Sequence, residues 1–76
     1  MATKAFVLIK TAVGKNKEAI NELRQLEGVK TVDKVTGPYD IILVAEVETL
    51  DDIDELVTSK IQPIPGIDRT LACLAI

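Results

Sequence analysis

The sequence lacks most of the side chains that carry enzyme chemistry. It contains no histidine, one cysteine (Cys73) and one serine (Ser59). Histidine is the commonest general base and metal ligand, and a cysteine or serine nucleophile needs such a base beside it. A single cysteine also excludes an internal disulfide. We therefore predict that the chain is not an enzyme and holds neither a metal nor a cofactor.

Aromatic residues and positive charge are scarce as well. Phe6 and Tyr39 are the only aromatic residues, and nine Lys and Arg against twelve Asp and Glu give a net charge of -3. Stacking platforms for single strands need aromatic side chains, and duplex binding needs a basic surface. These features predict that the chain alone does not bind nucleic acid.

Long apolar runs are absent too, although 47% of the residues are hydrophobic. A membrane-spanning helix needs about 20 consecutive apolar residues, so no membrane span is predicted. The first residues also lack the apolar stretch and cleavage site of a signal peptide. We expect a cytoplasmic protein.

The 76 residues suffice for one domain, 1–76. Strands are predicted at 5–11, 29–36, 40–47 and 67–76, and helices at 15–26 and 50–61. Gly28 marks the end of the first helix, and Thr49 with Asp52 forms a capping box at the start of the second. The order βαββαβ predicts an α+β, ferredoxin-like fold: a four-stranded antiparallel sheet with two helices on one face.

Three strands are apolar on both sides. In the first strand Val7 and Ile9 alternate with Phe6 and Leu8, and the third and fourth strands repeat this pattern. Two helices cover only one face of a sheet, and small monomers rarely expose a contiguous apolar patch. We therefore predict a homodimer in which the helix-free faces of two sheets pack together.

Two other features have simple explanations. The acidic segment 46–55 lacks the spacing of a calcium loop, and carboxylates near a helix start are favoured by the helix dipole. Cys73 lies in an apolar strand without a histidine partner, so we expect a small buried hydrophobic side chain.

The turn Thr36-Gly37-Pro38-Tyr39-Asp40 is the best candidate for a binding site. A glycine lets another molecule approach the backbone. The Asp40 carboxylate can accept hydrogen bonds from an ammonium group, while backbone N–H groups can donate to a carboxylate. Together these groups suit a small zwitterion. The alternative is an ordinary hairpin in which Asp40 closes an Asx-turn.

The whole chain resembles the regulatory (RAM) domain of the Lrp/AsnC transcription regulators. The resemblance rests on the opening AFVLIKTAVGK, the hairpin VTGPYD and the ending PGIDRT. It implies a ferredoxin-like dimer, assembly of dimers into rings such as octamers, and an amino-acid effector bound between neighbouring dimers. Carried onto this sequence, it implies ligand contacts at Gly37, Asp40, Arg69 and Thr70, with Tyr39 either a contact or a packing residue.

The resemblance does not extend to a helix-turn-helix, because the first strand is predicted at the start of the chain. It therefore implies a stand-alone regulatory module that influences transcription through full-length Lrp/AsnC regulators. Two alternatives stay open: a purely structural oligomerisation module, and an ACT-like small-molecule sensor with no role in transcription. An ACT domain normally has a glycine-rich turn after the first strand, where this chain offers only Val13-Gly14.

Overall fold

The computed structural model describes residues 2–76. Within them, the strands and helices follow the predicted βαββαβ order. The elements are β1 (Thr3–Thr11), α1 (Asn16–Arg24), β2 (Val29–Lys34), β3 (Ile41–Val47), α2 (Leu50–Glu55), a π-helical segment that continues α2 (Leu56–Ile61), and β4 (Ile67–Leu74). The predicted α+β, ferredoxin-like fold class is confirmed.

The four strands form one antiparallel sheet in the order β2-β3-β1-β4. β1 lies in the interior of the sheet, so Val7 pairs with Leu43 on one side and with Ala72 on the other. The register between β1 and β4 shifts between Lys10 and Thr11. Such an irregularity bends a strand locally and redirects its backbone groups, and this one lies at the end of β1 that adjoins the candidate site.

The core lies between the sheet and the helices. It comprises Ala5, Val7, Ile9, Val32, Ile41, Leu43 and Ala45 from the strands, and Ala19, Leu23, Ile53, Leu56, Val57 and Ile61 from the helical segments. Every second residue from 5 to 11 in β1 and from 41 to 45 in β3 is buried, as the pleat of a strand requires. Burial of each large aliphatic side chain stabilises the fold by roughly 1.5–3 kcal/mol.

The second helix begins as predicted and ends differently. The Thr49 hydroxyl accepts a hydrogen bond from the Asp52 N–H, and the Asp52 carboxylate accepts one from the Thr49 N–H, both at 3.2 Å. Further along, the helix widens into the π-helical segment, and the Gln62 N–H donates to the Val57 carbonyl at 2.9 Å. The sequence did not predict this widening, because the apolar spacing there fits an ordinary α-helix equally well.

Several predicted boundaries were too wide. α1 ends at Arg24 instead of 26, β2 at Lys34 instead of 36, and β4 at Leu74 instead of 76, while β3 begins at Ile41 instead of 40. After α1, the N–H groups of Gln25 and Leu26 bond three residues back, which tightens the chain out of the α-helix. Within residues 2–76, no helix is long and apolar enough to cross a bilayer.

Candidate functional site

The loop between β2 and β3 is tied to the end of β1 through the backbone of Asp40. Its N–H donates to the Ile9 carbonyl at 2.9 Å, and its carbonyl accepts from the Val35 N–H at 2.8 Å. Asp40 therefore lies between β1 and β2, one residue before β3 begins. These bonds fix the backbone from which the Asp40 side chain extends.

The Asp40 carboxylate is bound by Thr11 of β1. Its Oδ2 accepts a hydrogen bond from the Thr11 N–H at 3.0 Å and another from the Thr11 hydroxyl at 3.2 Å. The structure thus gives Asp40 a partner 29 residues away on another strand, in place of the Asx-turn partner considered from the sequence. Sequence reasoning missed Thr11, because no short motif signals a contact that depends on strand register.

These bonds also change the ionisation of Asp40. The Thr11 N–H lowers the pKa of the Asp40 carboxyl, with smaller contributions from the Thr11 hydroxyl and from the charges of Lys10 and Lys34, while desolvation acts in the opposite direction. Hydrogen bonds to the ionised form favour that form. Asp40 is therefore an anion at neutral pH and can accept an ammonium group.

Gly37 and Tyr39 lie in the same loop. Gly37 has φ 132°, in the region that residues with a Cβ rarely adopt, and apart from its chain neighbours no residue comes within 4 Å of the position that a Cβ would take. Its backbone is therefore open to another molecule. Tyr39 is half-buried, which fits either the contact or the packing role considered from the sequence.

Arg69 and Thr70 lie on the other side of β1. In the β1–β4 register, Arg69 pairs with Lys10 and Thr70 with Ile9. The Thr70 hydroxyl accepts a hydrogen bond from the Gln62 side-chain amide at 3.3 Å. These residues line an open pocket of about 280 Å³ together with Ile67 and Asp68. Gln62, which follows the π-helical segment, is another residue that sequence reasoning missed.

The structure brings the two predicted groups to the same end of the sheet without joining them. Asp40 precedes β3 and Arg69 belongs to β4, with β1 between them. Two strand spacings separate such positions by about 10 Å.

The helix-free face of the sheet is apolar, as the strand patterns predicted. Two rows of side chains cross it: Ile42, Leu8 and Leu71 in one, and Val44, Phe6 and Cys73 in the other. Leu71 is 46% exposed and the four residues on the two inner strands are half-buried. The expected burial of Cys73 is wrong for the single chain: Cys73 is exposed, because it lies on this face of an edge strand.

A second, larger cleft lies at the opposite end of the sheet. Its volume is about 590 Å³, and its lining includes Glu27, Glu46, Glu48, Asp52, Glu55, Lys30 and Lys60. The acidic segment 46–55 gave the only sequence signal for it. Within residues 2–76, no three His, Cys, Asp or Glu side chains are grouped so that they could hold a metal ion.

Similarity to known proteins decides the family. The family model described as the Lrp/AsnC ligand binding domain matches residues 4–76. This chain belongs to the Lrp/AsnC ligand-binding domain family. The crystal structure of FFRP-DM1 resembles this Lrp/AsnC domain with a TM-score of 0.92 at 39% identity, over 97% of this chain and 99% of that one.

Two further relatives are longer. An uncharacterised HTH-type transcriptional regulator of Pyrococcus furiosus is 27% identical over 78 residues, which cover 99% of this chain and 52% of the regulator. The Lrp/AsnC domain described here thus spans about half the length of that curated relative. The transcriptional regulator NMB0573 of Neisseria meningitidis, solved as a complex with L-Met, shares the fold with a TM-score of 0.87 at 17% identity, over 97% of this chain and 49% of that one.

Proposed function

We propose that residues 1–76 form one regulatory domain that binds an amino-acid effector and acts as a homo-oligomer without catalytic activity. The family is named for ligand binding, and a regulator with this fold was crystallised with L-Met. The observation that carries the proposal for this chain is the ionised Asp40 carboxylate, which Thr11 holds in the same loop as Gly37, a glycine with open space around its Cα. An anion beside accessible backbone amides suits a zwitterion.

In this proposal Asp40 accepts the ammonium group, and the backbone at Gly37 receives the carboxylate. Tyr39 contributes to the wall of the site. Because β1 separates Arg69 and Thr70 from Asp40, these two residues contact either the effector's side chain or an effector held mainly by a neighbouring copy. The second arrangement agrees with the family resemblance, which implies ligands bound between dimers.

The proposed assembly begins with a dimer formed through the helix-free face. Covering Phe6, Leu8 and Leu71 removes apolar surface from water, which favours association by about 25 cal/mol for each Å² buried. Rings of dimers, including octamers, are the further assembly that the resemblance implies. The module would then influence transcription in the cytoplasm by associating with full-length Lrp/AsnC regulators, since its own charge of -3 disfavours direct DNA binding.

One observation favours a different candidate function. Oδ2 of Asp40 already accepts two hydrogen bonds from Thr11. These bonds are also consistent with a purely structural role, in which Asp40 only connects the β2–β3 hairpin to β1. The chain would then be a structural oligomerisation module with an empty site. An ACT-like sensor would share effector binding with our proposal but would not associate with transcription regulators.

A thermal-shift screen against the twenty standard amino acids, each tested alone, distinguishes an effector-binding domain from a structural module. An amino acid present at 100 times its Kd should stabilise the protein by about 2.7 kcal/mol. Asp40→Asn should weaken binding about ten- to a hundredfold, because a charge-assisted hydrogen bond contributes roughly 1.5–3 kcal/mol. Asp51→Asn, which removes an exposed carboxylate on α2, should leave binding unchanged. Stabilisation by none of the twenty would favour the structural module.

A further inference from the structure

Thr11 is unusual among the residues that the structure describes. Within residues 2–76 it is the one polar side chain in the buried class, at 8% exposure. A buried hydroxyl needs a hydrogen-bond partner, because desolvation without one is costly. The partner of Thr11 is Oδ2 of Asp40, so this buried hydroxyl is directed at the candidate effector site.

Strand geometry explains why Thr11 can make two bonds to one oxygen. The Ile9 carbonyl on β1 accepts the Asp40 N–H, and two residues later the Thr11 N–H donates to the Asp40 carboxylate. Alternate backbone groups of a strand face the same neighbour. The Asp40 side chain therefore replaces a backbone carbonyl at the end of the β1–β3 pairing, close to the register shift after Lys10.

We propose that Thr11 is a positioning residue of the effector site, which holds Oδ2 of Asp40 so that Oδ1 is presented to the ammonium group of an amino acid. This inference rests on the proposed function and names the residue that prepares Asp40 for it. A carboxylate anchored at one oxygen loses little conformational freedom when the other oxygen binds a ligand, and such preorganisation increases affinity.

The backbone N–H of Thr11 cannot be removed by a simple substitution, but the hydroxyl can. Thr11→Val keeps the branched shape and the backbone bond and removes only the hydroxyl donor. Thr11→Ser restores a hydroxyl with one methyl group fewer. Thr58→Val is the matched control, because the Thr58 hydroxyl donates at 2.8 Å to the carbonyl of Asp54, away from the site.

The experiment has two measurements. The first is the pKa of Asp40 in the unliganded variants, followed by the NMR shift of its carboxyl carbon. The second is the Kd of whichever of the twenty standard amino acids gives the largest thermal shift with the unmodified protein. We expect Thr11→Val to raise the Asp40 pKa relative to the unmodified chain and to weaken binding about three- to tenfold. Thr11→Ser should restore both values, and Thr58→Val should change neither.

The outcomes separate this inference from the proposed function. If an amino acid binds the unmodified chain and Thr11→Val equally well, Thr11 has only a structural role and the inference is overturned, while the proposed function stands. If none of the amino acids binds the unmodified chain, the proposed function fails. An Asp40 pKa that is the same in Thr11→Val as in the unmodified chain would show that the Thr11 hydroxyl does not bind the carboxylate, and it overturns the inference whatever binds.

Discussion

The two faces of this sheet are built from the same strands and have different neighbours. On the helix-covered face, Val7, Ile9 and Leu43 are fully buried. On the helix-free face, their chain neighbours Leu8, Ile42 and Val44 are equally apolar but half-buried. The alternation of a strand places successive residues on opposite sides, so hydrophobicity alone does not distinguish core from interface. The two faces differ because the helices of the same chain cover one of them and leave the other uncovered.

The largest effect is expected on the covered face. Leu43→Glu would bury a carboxylate without a partner between β1 and β2, where Leu43 pairs with Val7 and Val32. Unpaired buried charge ranks among the most damaging changes, above about 4 kcal/mol. We expect the variant to be unfolded by circular dichroism at 25 °C, whereas Leu43→Met should stay folded. A folded Leu43→Glu would mean that this face is not the core.

The same substitution on the other face should have a different consequence. Leu8→Glu places the charge on the helix-free face, where the single chain leaves it in contact with water. We expect a folded chain whose mass by light scattering is the 8.3 kDa monomer, while the unmodified protein and Gln25→Glu on the α1 side remain at least dimeric. If Leu8→Glu keeps the mass of the unmodified protein, the helix-free face is not the interface.

A smaller effect concerns Asp40, at the end of the sheet. Its pKa is lowered in the folded chain, mainly by the Thr11 N–H and with help from Lys10 and Lys34. A lowered carboxyl pKa contributes stability above the usual value of 3.8, and that stability is lost as pH falls through the folded-state pKa. The difference in unfolding free energy between the unmodified chain and Asp40→Asn should therefore be largest near neutral pH and shrink in acid.

Urea unfolding of both proteins at a series of pH values measures this difference. Asp51→Asn is the reference for the loss of a carboxylate elsewhere. A difference between the unmodified chain and Asp40→Asn that is constant from pH 7 to acid would contradict the role assigned to the Thr11 bonds.

The sequence predicted most of the fold because local patterns carried the information. Alternation separated Leu8 from Val7 within β1 and Leu43 from Ile42 within β3, although it did not say which set faces the helices. The capping box located the start of α2 at Thr49. The details that escaped prediction depend on register or on position within the sheet. The bond between Thr11 and Asp40 requires the β1–β3 pairing, and the exposure of Cys73 requires knowing that β4 is an edge strand.

The candidate site, like the fold, could be predicted only in part. The turn that contains Gly37 and Asp40 could be identified from residue types alone. A glycine there lets a ligand approach the backbone, and an aspartate supplies a negative charge. Their separation from Arg69 by β1 could not be inferred, because it follows from the strand order. Gln62 was missed because the π-helical turn that precedes it has no sequence signature distinct from an α-helix.

The claim that a second copy covers the helix-free face is tested most directly by the reactivity of Cys73, the only thiol in the chain. Cys73 lies beside Phe6 on that face, and thiol modification depends on access as well as on ionisation. With Ellman's reagent, we predict slow reaction of the unmodified protein at high concentration and fast reaction of Leu8→Glu at the same concentration. Equal, fast rates in both proteins would show that the face is open and would contradict the account.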